Sequence, residues 1–395
     1  MVRRLSAGHL LATAISLIIP TQAVSLEATL ADQANLTAFR GLVKNHTHVF
    51  ADLPEGVTVV APTDNAFGKV GDWGTYNASV VEATLKYHIL KQAIAMPSIA
   101  KGDSIWASTI LTDQGFANVT NGQRLLLTKQ PGGEVVLTSG FATRGTVVVE
   151  DVAFDHGLVQ IIDSVMRIPE SLPSTARSAY TDLTAFVGAL YATDLMRELL
   201  NEKDVTIFAP HNAAFQQLAG TLAAMDREKL RRVLRYHIVP GRVAHLWELR
   251  NGSALATADS GNRATVTRSN FVYVNSARVI QSDILIANGV VHMVEGVLNP
   301  DKADARPDET LTTAQPPVFP SLVGPTATGS TVPTPFASAL PCTASCATTR
   351  PSAAATGAGE QGASSKNAGV SARCTGLVGA GVGVGLMVGG LMLGL

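Results

Sequence analysis

Val57-Thr58-Val59-Val60-Ala61-Pro62 returns 148 residues later as Val205-Thr206-Ile207-Phe208-Ala209-Pro210. Each copy is an apolar, β-branched run closed by proline. Such a run reads as a strand, and the proline ends the ladder and sets a turn. The surroundings repeat as well. Leu36-Thr37-Ala38-Phe39 recurs as Leu183-Thr184-Ala185-Phe186, Asn65-Ala66-Phe67 as Ala213-Ala214-Phe215, and Tyr87-His88 as Tyr236-His237. Asp151-Val152 through Gly157-Leu158-Val159 matches Asp283-Ile284 through Gly289-Val290-Val291. Five blocks in one order, at a spacing near 150 residues, describe a duplicated domain rather than a solenoid. The spacing falls from 149 at the Tyr-His block to 132 at the Asp block, so the first copy holds seventeen extra residues between them.

Within each copy an amphipathic helix comes first, carrying Leu36, Phe39, Leu42 and Val43, then Leu183, Phe186 and Leu190. After the Ala-Pro strand come short helices, one bearing Tyr-His, with apolar residues at helical spacing from Val81 to Leu90 and from Leu230 to Val239. Hairpin strands follow at Leu125–Leu127, Val135–Leu137 and Thr146–Val149, and again at Ala264–Val266 and Val272–Val274. Asn121-Gly122 and Asn288-Gly289 are turn signals. Each copy closes on an apolar strand, Val159–Met166 and Val290–Leu298. Helices combined with hairpins predict an α+β fold.

In the second copy the blocks read Ala209-Pro210-His211-Asn212-Ala213-Ala214-Phe215, then Leu234-Arg235-Tyr236-His237-Ile238, then Asp283-Ile284-Leu285-Ile286-Ala287-Asn288-Gly289-Val290-Val291-His292-Met293-Val294-Glu295-Gly296-Val297-Leu298. This combination resembles the fasciclin domain. The first copy departs in its last block, with Gln160 in place of His292 and His156 in place of Asn288. The resemblance spans residues 25–168 and 176–300. It implies two tandem modules, each a wedge of β-strands with a helical layer, and a role in adhesion or matrix contact. In the family the Tyr-His block is linked to integrin contact, and a segment like Asp283-Ile284-Leu285 is proposed for adhesion. The resemblance thus makes Tyr87, His88, Tyr236, His237, Asp283, Ile284 and Leu285 the candidate adhesion residues. The residues themselves favour structural roles. Neighbours on a helix point about 100° apart, so Tyr and His cannot easily share a cleft, and Asp151 and Asp283 suit turns or caps. The exchange of His292 for Gln160 predicts unequal modules, the second being the stronger contributor.

The two ends predict the compartment. Arg3 and Arg4 precede an apolar run, Leu10 to Ile19, and Pro20-Thr21-Gln22-Ala23 follows, the form of a signal peptide over residues 1–23. Leu377 to Leu395 is apolar and uncharged, with small residues and a polar spacer upstream. That pattern predicts attachment of a GPI lipid anchor and loss of the tail 377–395. Asn367 is the preferred attachment residue, with Gly362, Ser364 and Ser365 as competitors. Asn35, Asn45, Asn77, Asn118 and Asn251 head Asn-Xaa-Ser/Thr sequons, which fit the secretory route as N-glycosylation acceptors.

Of 395 residues 46% are hydrophobic and only 15% charged, and the net charge is −1. This balance gives no bulk attraction to nucleic acid or anionic lipid. The three cysteines, Cys342, Cys346 and Cys374, all lie beyond the modules, which must therefore fold on apolar cores alone. Nine of nineteen prolines fall between residues 301 and 375, amid Ser, Thr, Ala and Gly, with Phe319 and Phe336 as the aromatic residues. That composition predicts a disordered stalk over 301–375.

Enzyme signatures are missing. The chain has no Gly-Xaa-Ser-Xaa-Gly, no His-Glu-Xaa-Xaa-His and no phosphate loop. No catalytic residue and no cofactor are expected. His46 and His48 are of metal-ligand type, but they stand two apart with no cysteine or carboxylate cluster beside them, and read as a surface loop. The expected function is cell-surface adhesion or matrix and cell-wall interaction through multivalent weak contacts. The partners would be surface or wall proteins or glycans, and the location the outer leaflet through the lipid anchor, or the wall. The alternative is an extracellular small-molecule or lipid binder, which requires a closed apolar cavity above ~300 Å³.

Overall fold

The structure, a computed structural model, describes residues 24–71, 73–311, 313–320 and 334–341. The expected signal segment, the three cysteines, Asn367 and the apolar tail lie outside the described residues. The chain divides into two compact units at Pro169/Glu170. Among the described residues no helix is long and apolar enough to cross a membrane.

The first unit opens with α1 (Leu26–Ala31), α2 (Thr37–Asn45) and α3 (Thr47–Phe50). Strand β1 (Val57–Pro62) leads into α4 (Asp64–Lys69), α5 (Ala78–Tyr87) and β2 (Ile89–Leu90). Then come β3 (Ser104–Ser108), β4 (Arg124–Lys129), β5 (Val135–Thr138), β6 (Arg144–Phe154) and β7 (Gly157–Ile162). These strands form a seven-stranded sheet in the order β2-β1-β7-β6-β5-β4-β3. Only β1 and β7 run parallel, from Val57 opposite Gly157 to Pro62 opposite Ile162.

The second unit repeats the plan. It runs α6 (Leu172–Ser178), α7 (Thr184–Ala192), α8 (Leu195–Asn201), β8 (Val205–Pro210), α9 (Asn212–Gln217), α10 (Ala219–Ala223), α11 (Arg227–Tyr236) and β9 (Ile238–Val239). Strands β10 (Ala254–Ala256), β11 (Arg263–Arg268), β12 (Val272–Val274), β13 (Ala277–Ile286) and β14 (Gly289–Val294) follow. The sheet order is β9-β8-β14-β13-β12-β11-β10, with β8 and β14 parallel. The expected hairpins fall on β4, β5 and β6, and on β11 and β12. Most of the first copy's extra residues form the connection 109–123 between β3 and β4, against 257–262 between β10 and β11.

The Ala-Pro strands are buried along their whole length. Side chains alternate across a strand, so each feeds two cores. Val57, Val59 and Ala61 face Leu30, Phe39 and Leu85 on the helical side, while Val60 joins Tyr87, Leu125 and Leu137 inside the curled sheet. Val205, Ile207, Ala209 and Phe208 divide in the same way. The partner strand begins with glycine for a steric reason. A Cβ on Gly157 or Gly289 would stand 1.9 Å from the carbonyl oxygen of Val57 or Val205.

Composition assigns residues 301–375 to a stalk, and the described part of that stretch departs from a free chain. Residues 301–311, 313–320 and 334–341 pack on the second unit. Phe319 is buried in the helical core. Phe336 meets Phe215 edge to face at 6.1 Å, and its carbonyl lies so close that a Cβ on Gly188 would stand 2.2 Å from it. The Thr221 hydroxyl donates to the Pro320 carbonyl at 2.8 Å, and the Arg177 guanidinium to that of Pro341 at 2.9 Å. Two phenylalanines and a few backbone acceptors are enough to dock a segment whose average composition is too polar to fold alone.

The repeated phenylalanine after the Ala-Pro turn differs between the units. Phe215 is buried, whereas Phe67 is half-buried against Trp73. Phe215→Ala should cost ~3–5 kcal/mol, and Phe67→Ala roughly half as much. Chemical denaturation of the chain followed by circular dichroism measures both. Equal losses would show that Trp73 completes the burial of Phe67.

Candidate functional site

The Tyr-His pair closes a helix in each unit. Asn77 caps the start of α5 by accepting from the Val80 N–H at 3.0 Å, and Asp226 caps α11 through the Lys229 N–H at 2.8 Å. Each helix ends at its tyrosine, and the histidine is the cap residue. All four side chains are buried. The Tyr87 hydroxyl donates to the Arg124 carbonyl at 2.9 Å. Tyr236 does the same to Arg263 at 2.9 Å, and it accepts from the Asn275 amide at 2.8 Å.

The histidines bridge helix and closing strand. His88 Nδ1 lies 2.8 Å from the Thr84 carbonyl, and His237 Nδ1 lies 2.8 Å from that of Val233. Their Nε2 atoms accept from the N–H groups of Met166 at 3.0 Å and Leu298 at 2.9 Å. A backbone donor at Nε2 places the proton on Nδ1, so each ring works only when neutral. Burial lowers both pKa values from 6.5 to about 4, against the opposing pull of the helix carbonyl. Tyr and His therefore both point inward, toward different partners. Neither pair presents a surface to another molecule in the folded unit.

The Asp block is a bulge. Asp151 and Asp283 have φ of 58° and 62°, and the pairing of β6 with β7 and of β13 with β14 slips at these points. Asp tolerates the left-handed region better than most residues. In the first unit Asp151 Oδ1 accepts from the Met96 N–H at 3.1 Å, and in the second Asp283 Oδ1 accepts from the Leu246 N–H at 3.0 Å. Ile284 and Leu285, just beyond, are buried in strand β13. Of the predicted adhesion segment only Asp283 keeps some exposure.

Gln160 and His292 occupy the same place and meet two equivalent backbone partners, while Gln160 Nε2 also donates to Asp151 Oδ1 at 2.7 Å. Gln160 Oε1 accepts from the Asp151 N–H at 2.9 Å, and its Nε2 donates to the Ile94 carbonyl at 3.0 Å. His292 Nδ1 faces the Asp283 N–H at 3.4 Å, and its Nε2 lies 2.8 Å from the Ala244 carbonyl. A glutamine here reproduces a neutral imidazole. What does separate the units is His245, fully buried with Nδ1 3.2 Å from Asp283 Oδ1, where the first unit has Ala95. Burial pushes the Asp283 carboxyl upward. The bonds from His245 and Leu246 and the presence of His292 outweigh it and hold the group below its ordinary value. Burial lowers His292 against the pull of Asp283.

Other predicted positions fall on the surface. Asn35, Asn45, Asn77 and Asn251 are exposed, and Asn118 is half-buried. Large apolar side chains are exposed at Val148 and Ile280, which hold matching positions just before the two bulges, and at Trp247 and Phe271. Phe271, just before β12, stands two residues from Tyr273, and Ile280 on β13 stands two residues from its partner Arg278. No sequence signal marked these residues, because the exposure of a single apolar residue has no period of its own. A cleft of about 340 Å³, a volume that includes open solvent, lies between Leu218, Ala277, Glu295 and Val318. With Gln217, Glu295 and Gln315 in its walls, it is not the enclosed apolar cavity that a carrier requires.

The buried histidines set an acid limit. In the unfolded chain a histidine takes its proton near pH 6.5, whereas the folded rings of His88 and His237 resist to about pH 4. The unfolded chain binds more protons across that interval. The stabilisation is complete above the upper value and is lost as the pH falls toward the lower, by roughly 3 kcal/mol per ring. His292, also lowered, makes the second unit the more acid-sensitive. His292→Gln should keep stability near neutrality and reduce the acid loss of that unit. Urea unfolding between neutral and mildly acidic pH tests this, and an unchanged pH slope would show that His292 does not contribute.

Comparison with known proteins agrees with the geometry. The profile of the Fasciclin domain matches residues 34–169 and 181–300. A fasciclin-like arabinogalactan protein of Arthroderma benhamiae is 30% identical over 263 residues, covering 65% of this chain and 61% of that one. A fasciclin-like arabinogalactan protein of Cercospora beticola is 30% identical over 306 residues, covering 74% of this chain and 80% of that one. A solved FAS1 domain pair from the insect cell adhesion molecule fasciclin I aligns over 69% of this chain and 100% of that chain, at 18% identity and a TM-score of 0.34. With both repeats matched and more than half of its length covered, the chain belongs to the fasciclin-domain family.

Proposed function

We propose that this chain is a cell-surface adhesion or wall-contact protein, held to the outer leaflet by a GPI anchor at Asn367 and acting through several weak contacts at once. The observation that carries this reading is the duplication of a complete module, with an exposed apolar residue, Val148 or Ile280, at the same register in each copy. Trp247 and Phe271 add aromatic surface to the second module, and Trp247 is 59% exposed. Aromatic side chains of this kind dominate the energetics of protein contacts. The names of the fungal relatives point the same way.

The contact surface differs from the one the motif suggested. Tyr87, His88, Tyr236, His237, Ile284 and Leu285 hold the modules together, and their substitution would weaken binding by unfolding. Exposed side chains are the ones to change. Two linked weak sites gain ~10²–10⁴ in effective affinity when both engage.

The chain displayed densely on beads should therefore bind target cells, and the same chain free in solution should bind poorly. Replacing Trp247, Phe271 and Ile280 by serine should weaken bead binding at least about tenfold, with unchanged circular dichroism. Val148→Ser should have a smaller effect. Equal binding by free chain and beads would overturn the multivalent reading. A phosphatidylinositol-specific phospholipase should release the protein from cells, and retention after treatment would refute a lipid anchor as its sole attachment.

A further inference from the structure

Two histidines separated by one residue cannot face each other on an unbroken helix, where they would point about 200° apart. His46 is not helical. Its φ of −125° and ψ of 44° break the chain between α2 and α3. The break brings the His46 and His48 rings to one side, with centroids 6.1 Å apart. Val43 and Val49 on either side of it share a core with Val81 and Leu85 of α5. That packing sets Glu82 directly against the two rings. Glu82 Oε1 lies 3.6 Å from His46 Nδ1 and 3.3 Å from His48 Nε2, and the three ligand atoms all fall within 4.8 Å of one another.

We propose that His46, His48 and Glu82 form a binding site for a zinc-like divalent ion on the first unit. Bonds of 2.0–2.1 Å at tetrahedral angles place neighbouring ligand atoms about 3.4 Å apart, close to the 3.6 and 3.3 Å from Glu82 to the two rings. Two imidazole nitrogens and one carboxylate oxygen suit zinc, copper and nickel. Calcium and magnesium favour shells built from oxygen. His46 is half-buried and can anchor the ion, while the His48 side chain is 62% exposed and free to turn the last fraction of an ångström. The fourth position opens to solvent on the His48 side. The ion would clip the break between α2 and α3 onto α5, in a unit with no cysteine to form a disulfide there. Asn45, the acceptor of the sequon Asn45-His46-Thr47, borders the site, so any glycan carried there would flank the ion.

The test uses the full chain, stripped with a chelator and titrated with zinc sulfate by calorimetry. One zinc per chain is expected, with a Kd on the order of 10 µM or tighter. His48→Ala and Glu82→Gln should each weaken it at least about tenfold. Glu82→Gln keeps the side-chain shape, so lost binding with unchanged circular dichroism separates a missing ligand from an unfolded unit. Cobalt(II) in place of zinc should give the visible absorption of a four-coordinate site, and His46→Ala should abolish it. The absence of stoichiometric binding at about 100 µM zinc, or binding that survives both variants, would reduce the trio to a histidine–carboxylate pairing and overturn the proposal.

Discussion

At the centre of each sheet lies a parallel pair of strands, β1 with β7 and β8 with β14, and the remaining structure exists to make that pairing possible. Parallel neighbours cannot be joined by a hairpin and need a long crossover. Here the crossover is most of the unit: the short helices, the antiparallel strands and the bulge all lie between the two partners. Because the pair is covered on both faces, its strands are mostly apolar, and its close approach demands glycine at the head of β7 and β14. Such pairing is of high contact order, which slows folding. The residues that hold the crossover against the pair therefore matter more than their number suggests.

The buried histidines do that holding. His88 and His237 each take a helix carbonyl with one nitrogen and a backbone N–H beyond the closing strand with the other. One ring thus ties together two buried backbone groups from separate parts of the unit. Gln160 and His292 do the same work at the bulge. That two residue types fill this place shows what the site requires: an acceptor and a donor at fixed separation, with no net charge. The family's most recognisable residues are explained by this internal accounting before any role in contact is invoked.

Much of the fold was legible because it repeats. The strand ending at Ala-Pro, the helix ending at Tyr-His and the closing strand each appear twice, and the repetition locates them more firmly than propensity could. The directions of side chains were less legible. Helical angles argued that Tyr and His would diverge, and they do, but both find interior partners because the cap residue leaves the helix. The exchange of Gln160 for His292 read as divergence, since residue letters do not reveal that two side chains meet an equivalent pair of backbone groups. Glu82 lies 34 residues beyond His48, too far for any spacing rule to join them. Composition averaged over residues 301–375 outweighed the two phenylalanines that dock the stretch nearest the second unit.

That docked segment also sets the order in which the second unit would feel a mechanical load. Tension entering from beyond Pro341 meets the Arg177–Pro341 bond and Leu340 first, then Phe336 and Phe319, before it reaches β14. The contacts along the way are single side chains and isolated hydrogen bonds, which give way in succession. The segment would act as a fuse. Freed between residues 301 and 341, it would release roughly 130 Å of chain, absorbing the work of a sudden pull while the parallel pair beneath it stays closed.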